Sequence, residues 1–218
     1  MRTRLALAVL IGFVAFAGLS IGVFGWYGYR VYSELSPGSW RSPTQIIDRN
    51  GHTIVSLYGA EWRVAEPVVL ADLPQYVPNA FLAAEDTRFR SHIGIDPIGI
   101  GRAAVTNVVA GGVAEGGSTI TQQLAKTRFL SARRTFTRKW LEAGLALMIE
   151  LRLSKDEILE AYLNEVYLGH RDGREVRGLG EASRIYFGKA PARLTPAEAA
   201  LIAGMIRAPN RDNPDERS

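Results

Sequence analysis

The sequence predicts a mostly α-helical domain with a small β element, preceded by one long apolar segment. Three observations predict it. Residues 5–29 hold no charged side chain. From Pro74 onward the chain is punctuated by first-turn prolines, capping boxes and glycine breaks, the signals of successive helices. One stretch, Ile46 to Val55, instead carries the hairpin-type turn Asp48-Arg49-Asn50-Gly51 between β-favouring residues.

The apolar segment comes first. As a helix rising ~1.5 Å per residue, 5–29 exceeds the ~30 Å apolar thickness of a bilayer. Trp26, Tyr27, Tyr29 and Tyr32 cluster at its end, where amphipathic rings favour the lipid–water boundary. Arg2 and Arg4 precede it, so the positive-inside tendency leaves residues 1–4 as a cytoplasmic tail and exports the chain beyond about Arg30. Ala15-Phe16-Ala17 looks like a signal-peptide cleavage site, but the chain stays apolar for a dozen residues more, which favours an anchor. Residues 30–45, with Ser, Pro and Gly, read as a juxtamembrane linker to a domain over 46–218.

Within that domain, Pro78 suits the first turn of a helix whose apolar face is Ala80, Phe81, Ala84 and Phe89. Gly94 and Pro97 interrupt it before a second helix, Ile98 to Val109. Gly111, Gly112, Gly116 and Gly117 keep the next stretch pliant. Ser118 or Thr119 then caps a helix to about Phe129. Leu141, Leu145, Met148 and Ile149 form the buried stripe of a helix from about Thr137 to Leu153. Ser154-Lys155-Asp156-Glu157 opens another helix that Gly169 would end, and Thr195-Pro196-Ala197-Glu198 opens a last one to about Arg207.

Composition narrows the functions. Without cysteine there is neither disulfide nor thiolate metal site, and three histidines without paired spacing make a zinc centre a poor fit. The net charge of +4 reflects 26 basic against 22 acidic residues, with local density from Lys126 to Lys139. Export and the lack of any recognition motif argue against nucleic acid.

Two segments carry the chemistry. On a continuous helix Glu85, Phe89 and His92 would share one face, placing a carboxylate beside an aromatic where loss of water makes it a usable acid or base. The bland reading is a Glu85-Asp86 pair in the first turn of a helix, favoured by its dipole. Glu142 lies four residues after Arg138, which an ordinary helical ion pair would explain; equally, Arg138, Lys139 and Glu142 would surround a diphosphate. Chemistry at a sugar carbon commonly uses two carboxylates. Ser118, Gln122 and Gln123 offer neutral donors and acceptors for hydroxyls or phosphate, with Lys126 and Arg134 nearby as cations.

Five ordered blocks resemble the peptidoglycan glycosyltransferases of family 51, found alone or as the N-terminal module of class A penicillin-binding proteins. They are Glu85-Asp86…Phe89…His92…Gly94…Asp96; Gly117-Ser118-Thr119-Ile120-Thr121-Gln122-Gln123; Arg138-Lys139…Glu142; Lys155…Ile158-Leu159-Glu160…Tyr162-Leu163-Asn164; and Ala208-Pro209 with Asn213-Pro214. The resemblance runs from about Asp48 to Pro214. It implies a lysozyme-like fold on the outer face of the bacterial cytoplasmic membrane, polymerising lipid II into β-1,4 glycan with inversion and release of undecaprenyl diphosphate. Carried over by motif, Glu85 is the base on the acceptor hydroxyl and Glu142 organises the departing diphosphate. Ser118, Gln122, Gln123, Lys126, Arg134, Arg138 and Lys139 bind the donor. Asp86, Phe89, His92, Asp96, Lys155 and Asn164 support the blocks. No cofactor is required by the sequence, and a divalent cation, Mg or Mn, is an optional companion of the diphosphate. The implied partners are lipid II, the growing glycan strand and membrane lipid, with elongation or division proteins as further candidates.

This chain departs from the family pattern at Thr127, usually asparagine, and at Leu141, lysine in some members. It ends at Ser218, before the usual closing helix, and lacks the Ser-x-x-Lys, Ser-x-Asn and Lys-Thr-Gly signatures of a transpeptidase. The opening Asp-Arg-Asn-Gly favours the bifunctional members, so a fragment of a longer protein is expected. The alternatives are a lysozyme-like hydrolase or lytic transglycosylase, which needs no diphosphate site, and an inactive membrane-anchored scaffold.

Overall fold

The computed structural model describes residues 2–34, 43–58, 67–112, 116–130, 136–171 and 174–206. Arg134, residues 35–42 of the expected linker, and the block at Ala208-Pro209 and Asn213-Pro214 lie outside them. The chain divides into a unit over Met1–Ser36 and a second over Pro37–Ser218. The first is a single helix, α1 (Arg2–Glu34), of 33 residues. Among the described residues no helix is long and apolar enough to cross a membrane. The span expected over 5–29 falls inside α1.

The second unit opens with an antiparallel hairpin, β1 (Pro43–Ile47) and β2 (Thr53–Tyr58). Its turn is tied by the Asp48 carboxylate, which accepts from the backbone N–H of Asn50 and of His52 at 2.8 Å each. The segment after Pro67 is clamped by a later helix: Asn164 accepts from Val68 N–H and donates to its carbonyl, while Glu160 accepts from Leu70 N–H.

Among the described residues the body is built mainly from α2 (Tyr76–Glu85), α3 (Pro97–Val109), α4 (Ile120–Phe129), α5 (Phe136–Arg152), α6 (Lys155–Glu165) and, last in sequence, α8 (Pro196–Met205). Four capping residues start them as the local chemistry demands. Asp96 accepts from Ile98 N–H ahead of Pro97, and Thr119, Ser154 and Thr195 each form a full capping box with Gln122, Glu157 and Glu198. Helix α4 packs against both α5 and α6, and α2 packs against α8. Phe81, Ile120, Leu124, Leu145, Ile149, Ile158 and Leu163 are fully buried among them.

Three expectations are corrected. The helix carrying Glu85 does not continue through His92; α2 stops at Glu85, and Phe89–Ser91 is a separate 3-10 turn. Asp86 ends it because its backbone leaves the helical region (φ −156°, ψ 76°) and its carboxylate accepts from Ile120 N–H and from His92. The helix from Lys155 ends at Glu165, four residues before Gly169, and a second hairpin comes next, β3 (Tyr167–Arg171) with β4 (Arg174–Arg177). Between it and α8 runs an unforeseen helix, α7 (Leu179–Phe187), closed by Gly188 at φ +64°. Glycines at 178 and 180 hide its start from a reading of periodicity.

Candidate active site

Glu85 is the last residue of α2, the end of a helix where the macrodipole disfavours negative charge. The bland reading, an acidic pair stabilising a first helical turn, is therefore overturned. Its Oε2 accepts from Gln123 Nε2 at 2.7 Å, so α4 supplies its neutral partner. Phe89 and His92 do not share a helical face with it.

Asp86 is buried and fastens the first block to the second. It accepts from Ile120 N–H at 3.0 Å and from His92 Nε2 at 3.0 and 3.1 Å. Gly94 N–H donates to His92 Nδ1 at 3.1 Å, which fixes the tautomer with hydrogen on Nε2. Thr119 completes the link, its hydroxyl donating to the Gly94 carbonyl at 2.6 Å. Asp96 caps α3 and pairs with Arg88 at 3.2 Å. Burial opposes its ionisation, but the Gly99 N–H and the Arg88 guanidinium outweigh it and hold its carboxyl below the ordinary aspartate value. Phe89 is buried under the Lys155 ammonium, 4.5 Å from its ring centroid, and Lys155 also bonds Glu150 at 2.7 Å.

Glu142 has a different environment. It is buried on α5, with Arg138 Nε 2.9 Å from Oε1 and Lys139 Nζ 2.9 Å from Oε2. Lys139 Nζ also donates to Ser118 Oγ at 2.7 Å. Both carboxylates are thus tied to the stretch 118–123, Glu85 through Gln123 and Glu142 through Lys139 and Ser118. Gln122 is buried, and its Oε1 accepts from Thr119 N–H in the capping box, which commits it to the start of α4. Lys126 is exposed on α4, one turn beyond Gln122. Asn164 clamps the Val68 backbone. Sequence reasoning passed over Tyr162, which lies within the fourth block; its hydroxyl donates to Gln123 Oε1 at 3.4 Å.

Among the described residues no group of three or more histidine, aspartate or glutamate side chains could hold a metal ion. Glu142, the acid nearest the expected diphosphate, has a cation at each oxygen, so its donor set does not fit a protein-held divalent metal without displacing one of them.

Fold and site define a helical transferase-like domain: one carboxylate that accepts from an amide of α4 and a second clamped by two cations, both joined through one helix start. Residues 50–218 match the family model described as Transglycosylase. The chain is 47% identical over 172 residues to penicillin-binding protein 1A of Escherichia coli, covering 79% of this chain and 19% of that protein. It is 47% identical over 174 residues to penicillin-binding protein 1A of Neisseria cinerea, covering 80% and 21%. With the Haemophilus influenzae protein of the same name it shares 43% over 211 residues, covering 97% and 23%. The chain belongs to the transglycosylase family, and it spans about one fifth of the length of these curated relatives.

Proposed function

We propose that this domain polymerises lipid II, joining the acceptor 4-hydroxyl to the anomeric carbon of the lipid-linked donor with inversion and release of undecaprenyl diphosphate. The tie of both carboxylates to the stretch 118–123, Glu85 through Gln123 and Glu142 through Lys139 and Ser118, carries the reading. Glu85, hydrogen-bonded by an uncharged amide, takes the proton of the acceptor hydroxyl as its oxygen attacks. The C–O bond to the diphosphate breaks on the opposite side, and the leaving group departs with the bonding pair. Lys139 and Arg138, already organised on Glu142, stand ready to meet that charge. Ser118, bonded to Lys139, orients the donor beside them, with Lys126 and Arg134 as further diphosphate contacts.

The domain works on the outer face of the cytoplasmic membrane, held by α1 as a single span with its N-terminus inside. The uncharged run 5–29 within α1 supports this, as do the exposed apolar faces of α3 (Ile98, Val105, Val109) and α5 (Trp140, Leu147, Leu151), which suit a lipid-linked substrate. Purified lipid II tests the function. Lengthening glycan is the expected product, whereas shortening of preformed glycan would make the protein a muralytic enzyme. Glu85→Gln should lose more than the ~10²–10⁴-fold usual for removing a general base, because Glu85 also orients the acceptor. Unchanged polymerisation in that variant would refute the assignment.

A further inference from the structure

Tyr162 stands behind the reactive carboxylate and has no part in the proton transfer or the departure of the diphosphate. It lies on α6 with 2% of its surface exposed. Its hydroxyl and the Glu85 carboxylate grip opposite ends of one carboxamide: Tyr162 donates to Gln123 Oε1, and Gln123 Nε2 donates to Glu85 Oε2. A carboxamide has one donating and one accepting end. Turned over, Gln123 would set its carbonyl oxygen against a carboxylate and lose the hydrogen bond to Glu85.

A hydroxyl that always donates enforces the observed orientation. Burial raises the Tyr162 pKa well above the ordinary tyrosine value, and the charges of Glu85 and Asp86 raise it further. The proton therefore stays on Tyr162 throughout the working range. Asp86 is unsuited to the task, since its oxygens are committed to Ile120 and His92.

We infer that Tyr162 is a positioning residue for glycosyl transfer: acting through Gln123, it fixes the amide donor that aims Glu85 at the acceptor hydroxyl. This rests on Glu85 being the base of the proposed polymerisation. Tyr162 touches no reacting atom; it acts one residue removed, from a helix that also carries the Val68 clamp.

Tyr162→Phe keeps the ring and deletes only the hydroxyl. With the full chain in detergent and lipid II as substrate, kcat should fall about two- to tenfold, the worth of one hydrogen bond, with KM unchanged. Gln123→Ala should lower kcat further. In the Gln123→Ala background, adding Tyr162→Phe should leave kcat the same within about twofold, because the relay is already cut. Equal losses in both backgrounds would mean a packing role and overturn the inference. A readout independent of turnover is solvent exchange of the Gln123 side-chain amide protons by NMR, assigned by their absence in Gln123→Ala. Exchange should quicken severalfold in Tyr162→Phe; an unchanged rate overturns the inference even with an active enzyme. A wild-type chain that fails to lengthen glycan removes the base assignment, and the inference falls with it by a separately visible route.

Discussion

Gly94 sits where three parts of the site meet, and replacing it with alanine has a cost that the structure lets one work out. Its φ of +88° lies in the region that L side chains avoid, at roughly 1–2 kcal/mol for a residue with a Cβ. A Cβ there would stand 2.9 Å from the Ala146 carbonyl oxygen, 3.0 Å from its carbon and 3.1 Å from Glu150 Cγ. The first two are backbone atoms of a packed helix and cannot swing aside, so overpacking adds roughly 1–3 kcal/mol. The sum is about 2–5 kcal/mol, and at ~2–4 °C per kcal/mol for a chain of this size the melting temperature should drop by about 4–20 °C. Any backbone shift that relieves the clash must move Gly94 N–H away from His92 and its carbonyl away from Thr119, so polymerisation should fall as well. Gly101→Ala is the control: nothing lies within 4 Å of its added Cβ, and alanine within α3 should stabilise by about 0.5–1 kcal/mol. Thermal unfolding followed by circular dichroism reads both. A Gly94→Ala protein melting with the wild type would refute the close approach of the first block to α5.

The same geometry sets other outcomes. Lys139→Met should reduce kcat/KM for lipid II by about 10–100-fold, the worth of a charged hydrogen bond, and should also lower the melting temperature, because it takes a cation from the buried Glu142 carboxylate; normal donor use in the folded variant would reverse that role. Lys126→Ala and Arg134→Ala should weaken donor use more than they destabilise the fold, as paired kinetics and melting curves would show. Asn164→Ala strands the buried Val68 N–H and carbonyl and should destabilise by about 2–4 kcal/mol in urea unfolding. The Asp96 carboxyl titrates lower in the folded chain than in the unfolded one, so its stabilisation is present above about pH 4 and is lost as pH falls through the folded value. The stability gap between wild type and Asp96→Asn should therefore narrow as pH falls below about 4; a constant gap would contradict it.

Much of this protein was legible in its sequence because the signals are local. The capping boxes at Thr119, Ser154 and Thr195 and the turn at Asp48 act over a few residues, and each element begins where its signal stands. The two glutamates and their cationic neighbours were recognisable from residue type and order. What failed was extrapolation along a helix axis. The Glu85–Phe89–His92 face assumed continuity that the long-range bond from Ile120 N–H to Asp86 breaks, and no periodicity in residues 76–92 encodes a partner 34 positions away. The β3–β4 hairpin and α7 stayed hidden for a like reason: short elements rich in glycine draw their definition from packing on α8 and α6 rather than from their own composition.

The sequence alone therefore settled which residue types were present, the start of most helices and the family to which the chain belongs. Only the tertiary structure decided that Gln122 closes a cap while its neighbour Gln123 faces Glu85, and that Glu142 carries two cations while Glu85 has an amide donor. The physical reason is direction. A side chain's chemistry is written in its identity, but its orientation and charge environment come from groups that folding brings across α4 from α2, α5 and α6.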